Sequence, residues 1–213
     1  FSDTIILRPD ADGISMQCMD SSQVCLFDTR LSAEWFDLYE FNEGDPASLG
    51  VIPRVIAVAL SARRDKQHVC LSTDADSDCI EVTLSGDSGV LDKYFSVQLI
   101  DVESELLDLS NPEDSDVDLT METKKLTELV GQLGMFDSQL SLHFGKQEIT
   151  MESRGNEGGL RVSMGPDDGI EYAISDELKQ RFSLIYLSRI CGFGKLASMM
   201  MLRFSAHRPM EAC

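Results

Sequence analysis

With 213 residues, 43% of them hydrophobic, the chain is long enough for one large domain or two of ordinary size, each with its own core. Its 18 basic against 37 acidic residues give a formal charge of -19, which excludes a general phosphate-wrapping surface and confines any nucleic-acid contact to a locally basic patch. Six cysteines without a CxxC pair, beside three histidines, read as reduced thiols rather than a disulfide or zinc framework, and no apolar run approaches the roughly 20 residues that span a bilayer.

Taken in chain order, short runs alternate apolar and polar residues at 4–7, 14–17, 24–31, 69–72, 80–84 and 94–100. Clusters of Asp, Gly, Ser and Pro separate them, as at 8–13 and 85–89, which predicts antiparallel strands joined by turns. Three segments have helical spacing instead. Residues 52–64 place Ile56, Ala59 and Leu60 on one face, residues 123–133 do so with Leu126, Leu129, Val130 and Leu133, and residues 182–191 with Leu184, Leu187 and Ile190. Between them, DVESELLDLSNPEDSDVD over 101–118 is acidic and broken by Asn111 and Pro112, with Leu106, Leu107 and Leu109 its apolar cluster. It reads as an interdomain connector. The flanking segments are alike, GISMQ near 13 and EITME near 148, and each ends in helix, turn and strand, so two copies of one α+β unit are expected.

Several motifs tempt a catalytic reading. Gly86-Asp87-Ser88-Gly89 resembles a serine nucleophile turn but sits between two strand runs, where a hairpin turn accounts for it. Asp74, Asp76 and Asp78 open like a calcium loop, yet Cys79 and Ser85 stand where that loop needs glycine and glutamate. Gly192-Phe193-Gly194-Lys195 lacks the upstream glycine and the following Ser or Thr of a phosphate loop, and reads as a helix exit. The run Met199 to Met201 reads as the start of a buried strand. His68, His143 and His207 have no acid or cysteine at ligand spacing. No acid/base or nucleophile constellation emerges, and no cofactor, metal or enzymatic activity is expected.

Residues 13–31, GISMQCMDSSQVCLFDTRL, closely resemble the most recognisable stretch of the proliferating cell nuclear antigen family, where a strand runs into Met-Asp-Ser-Ser. GVIPRVIAVALSARRDKQHVCLS is similar to that family's second helix and following strand, YFSVQLIDVESELLDL to the strand entering its connector, and FSLIYLSRICGFGKLASMMMLRFSAHRPM to its last helix and penultimate strands. Four collinear matches cover nearly all of the chain.

The resemblance implies an α+β fold of two similar clamp domains, antiparallel sheet with short helices, closing into a ring of three chains. The domains would be 1–100, a connector at 101–118, and 119–213, with the family's first strand and basic first helix falling before Phe1 and its last strand after Cys213. It implies a DNA sliding clamp, a processivity factor that encircles duplex DNA and tethers DNA polymerase, a clamp loader and other proteins through peptide motifs. Such a protein would be nuclear, or in a host's replication compartment if viral. The peptide pocket would use Met19, Gln23, Leu26, Leu107, Leu109 and Pro209. The subunit interface would pair Tyr94, Phe95 and Val97 with Ile170, Tyr172 and Ile174 of a neighbour, and Arg54, Lys124 and Lys125 would face DNA.

This chain departs from the family at Val58, Ser61, Glu128, Gly131, Ile185 and Gly192, helix positions where relatives carry cations, and at Arg161, where the family's ubiquitin-acceptor lysine would fall. A subunit of a heterotrimeric checkpoint-type clamp and a clamp-fold scaffold with weak DNA tracking therefore stay open as alternatives.

Overall fold

Side chains of period two build most of this molecule, because a strand buried on one face must alternate. A computed structural model describes residues 2–42, 48–74, 77–86, 89–102 and 115–213. The chain divides into two compact units, Phe1–Asp108 and Leu109–Cys213.

In the first unit β1 (Ile5–Asp10), β2 (Gly13–Met19) and β3 (Leu26–Ser32) form an antiparallel meander, and β4 (Leu49–Val51) adds to the other edge of β1. Gly13 turns the chain with φ 138°, and a Cβ there would lie 2.1 Å from the Leu31 carbonyl oxygen, so glycine is required. Helix α1 (Pro53–Ser61) starts on a proline whose fixed φ suits the first helical position. Strands β5 (Gln67–Ser72), β6 (Cys79–Gly86) and β7 (Lys93–Gln98) make a second sheet in that order. Leu49, Val51, Ala59, Ile80, Val82, Leu84 and Val97 form the core.

The second unit runs β8 (Val117–Glu122), α2 (Thr123–Leu133), β9 (Gln139–Phe144), β10 (Ile149–Gly155), β11 (Gly158–Met164), β12 (Glu171–Ile174), β13 (Leu178–Ser183), α3 (Leu184–Cys191), β14 (Met199–Ser205) and β15 (Arg208–Ala212). Its sheets are ordered β11-β10-β9-β13 and β12-β8-β14-β15. Phe204 of β14 joins them, with ring centroids 4.6 Å from Phe144 and 5.7 Å from Phe182. Leu126, Val130 and Leu133 bury one stripe of α2, and Leu184, Leu187 and Cys191 one stripe of α3.

The two units repeat one plan. Sheet β3-β2-β1-β4 matches β11-β10-β9-β13 strand for strand, and α1 then β5 follow β4 as α3 then β14 follow β13. They differ at β5. In the second unit β14 is flanked by β8 and β15, whereas among the described residues β5 pairs with β6 alone, leaving Val69 and Leu71 exposed.

The expected helix at 123–133 is present with those limits, whereas the expected 52–64 shortens to Pro53–Ser61. Phe182 and Ser183 belong to β13 rather than to α3, because Phe182 packs on Phe204 as a strand residue. Gly192–Lys195 is a single 3-10 turn leaving α3, and a Cβ on Gly194 would lie 2.4 Å from a Thr123 methyl. Met199 to Met201 open β14, but of the expected burial Met200 is inside while Met199 is 45% exposed. Of the expected connector, residues 103–114 lie outside the described residues, and Val117 and Asp118 are already in β8.

Candidate partner-binding and assembly surfaces

The Met-Asp-Ser-Ser turn is organised by one carboxylate. Asp20 is 2% exposed and accepts the N–H groups of Ser22 at 3.1 Å, Val24 at 2.8 Å and Cys25 at 2.7 Å. Its own N–H donates to the Cys25 carbonyl at 3.0 Å, and its carbonyl accepts the Gln23 N–H at 2.9 Å. A short acidic side chain that satisfies three backbone donors closes a loop that no strand ladder could close. The result holds Gln23 at φ 55°, exposed, with Val24 exposed beside it and half-buried Met19 and Leu26 facing each other across the hairpin. Residues from the β2–β3 turn thus form a small mixed surface whose backbone is tied by hydrogen bonds. Asp20 escaped the reading of the sequence, although an Asx residue before two serines is a turn signal. Cys18 lies on the same hairpin, where burial pushes its thiol up, and none of the six cysteines is in a disulfide.

Of the other expected pocket residues, Pro209 is the described one. Pro209 is exposed on β15, an edge strand, where a residue without an N–H is tolerated. Leu107 and Leu109 lie outside the described residues.

Strands β7 and β12 are both sheet edges. On β7, Tyr94 is 71% exposed, Phe95 is half-buried and Val97 is buried in the first unit's core. Tyr172 and Ile174 on β12 pack partly against the second unit's core, and Ile170, just before that strand, is fully inside it. The apolar side chains here therefore anchor each edge to its own unit. What the edges offer outward is backbone, plus Tyr94.

Of the three candidate DNA-facing cations, Arg54 and Lys124 are exposed in the first turns of α1 and α2, and the Lys125 ammonium donates to the Asp168 carbonyl. The helix positions lacking cations include exposed apolar residues, Val58 at 64% and Ile185 at 56%. Asp87, Ser88 and Asp76 of the tempting motifs lie outside the described residues. His68 and His207 are exposed and His143 sits on β9, and among the described residues no cluster of three metal-ligating side chains occurs.

A duplicated α+β unit, mostly antiparallel sheet with few short helices and an open edge in each copy, defines a clamp-type protein. The sequence profile of the proliferating cell nuclear antigen N-terminal domain matches residues 3–106. Over its length the chain is 29% identical to DNA polymerase sliding clamp 1 of Thermococcus kodakarensis, covering 94% of this chain and 78% of that protein. It is 26% identical to the DNA polymerase sliding clamp of Pyrococcus furiosus, covering 98% and 82%, and 22% identical to the proliferating cell nuclear antigen of Chaetomium thermophilum, covering 93% and 78%. Through residues 3–106 by that profile, and over nearly its whole length by these relatives, the chain is similar to the proliferating cell nuclear antigen family.

Proposed function

We propose that this protein is a DNA sliding clamp, a processivity factor in DNA replication that acts without catalysing a reaction itself. The observation that carries the reading is collinearity: relatives named as DNA polymerase sliding clamps align with nearly the whole chain, across both copies of the repeat.

On this reading three chains join head to tail, β7 of one pairing with β12 of the next. Each chain owns both edges, so the contact is heterologous and closes into a ring only when the rotation per subunit divides a full turn. Backbone groups left open at an edge gain partners, and an exposed tyrosine on β7 gains cover. Duplex DNA would pass through the ring, with Arg54, Lys124 and Lys125 nearest its phosphates. A peptide from DNA polymerase or a clamp loader would dock on Met19, Gln23 and Leu26, with Leu107, Leu109 and Pro209 completing the pocket. With that role the protein would work in a nucleus, or in a host's replication compartment if viral; no described helix is long and apolar enough to cross a membrane.

Light scattering tests the assembly. A homotrimer gives about 71 kDa, three times the 23.6 kDa of one chain. A stable monomer at micromolar concentration contradicts the ring. The exposed apolar residues Val58 and Ile185 favour one second reading, a heterotrimer whose other subunits supply the charge around DNA. Co-purification of non-identical clamp subunits in equal amounts would support it.

A further inference from the structure

The sheet β11-β10-β9-β13 buries one face in the second unit's core, and its register gathers on the other face residues far apart in sequence. One row across the four strands reads Arg161, Glu152, Ser141, Arg181, since Arg161 pairs with Glu152, Glu152 with Ser141, and Ser141 with Arg181. Lys179 lies two residues from Arg181 on the same face of β13, and Arg154 two residues from Glu152 on β10. Four exposed cations thus share a face with a single carboxylate in a chain of net charge -19. Among the described residues none of the four is in an ion pair; those formed involve Arg30 and Arg203.

The first unit supplies an internal control. On the equivalent sheet β3-β2-β1-β4, Arg30 is held by Asp10 at 2.5 Å and Asp12 at 3.9 Å, and Asp28 accepts from Gln17 at 3.0 Å. Arg30 is thus paired on that sheet, whereas among the described residues the four cations of the second unit's sheet are not.

We propose that the outer face of β11-β10-β9-β13 docks a short acidic segment of a partner protein. Three strand spacings separate β11 from β13, about 14 Å, or roughly four residues of extended peptide. Carboxylates at that separation reach Arg161 and Arg181, whose planar forks take an oxygen pair each, while Lys179 and Arg154 deepen the field. Glu152 at the centre of the row excludes charge from the middle of the segment. Exposed Glu157 and Glu177 stand in the turns at opposite ends of these strands and would repel a polyanion running past the sheet, which favours a short peptide over nucleic acid.

Fluorescence anisotropy of the full chain with a labelled oligoglutamate, and separately with labelled oligothymidylate, tests this. The peptide binds and is released by salt, and Arg161→Glu with Arg181→Glu weakens it at least about tenfold. Arg30→Glu leaves it unchanged. Glu152→Gln tightens binding, an effect that misfolding cannot produce. Absence of peptide binding, indifference to the paired substitution, or tighter binding of oligothymidylate at the same arginines overturns the proposal.

Discussion

Asp20 organises the β2–β3 turn through a single side chain. Asp20→Ala strands three backbone donors that the carboxylate now satisfies, and should cost about 2–3 kcal/mol in denaturant unfolding. Asp20→Asn keeps an acceptor and should lose less; equal losses would mean the turn is held by something other than those bonds. The same substitution should weaken capture of a clamp-binding peptide, since Met19, Gln23 and Leu26 are set by this turn. Asp10 makes a quieter prediction. The Asp12 N–H, donating at 2.8 Å, is the main cause that holds its carboxyl below the ordinary value of 3.8; desolvation opposes it, and the Arg30 guanidinium lowers it further. Because the folded value is depressed, its contribution to stability is complete above the ordinary value and fades as pH falls through the folded one. In an NMR titration Arg30→Gln should move the Asp10 midpoint upward. An unmoved midpoint would show that arginine contributes nothing there.

At the scale of elements, much was legible in the sequence, and the misses have physical causes. Helix α2 follows from its apolar stripe because each buried position is a Leu or Val, apart from Thr123. Strand β5 begins two residues earlier than its apolar run implies. Gln67 looks like a turn residue, yet it is 2% exposed, its amide donating to the Leu91 carbonyl at 2.9 Å. A polar residue satisfied by distant backbone leaves no local signature. The arginine face was invisible for a related reason: residues 152, 161 and 181 meet only through strand register. The edge strands were legible as strands, but their apolar residues proved to face inward, so Tyr94 is the side chain most available to a neighbour. Tyr94→Ala should leave the unfolding midpoint of the chain nearly unchanged while raising the concentration needed for trimer by about tenfold or more, read by sedimentation. Unaltered assembly would remove β7 from the interface.

For the whole molecule, the proposed ring reconciles a charge of -19 with association with DNA through topology. A ring needs no strong phosphate contact to stay on a closed duplex, so weak local cations such as Arg54 and Lys124 suffice where a surface binder would fail. Counterion release governs a surface-bound protein and makes it fall off in salt; a threaded ring leaves by sliding off an end. The exposed Val58 and Ile185 make the contrast sharper, because they add no charge to hold the duplex. The decisive measurement is retention on nicked circular DNA after loading by a clamp loader with ATP. The account expects protein to remain through a high-salt wash and to be released when the circle is cut. Release by salt with the circle intact would contradict it.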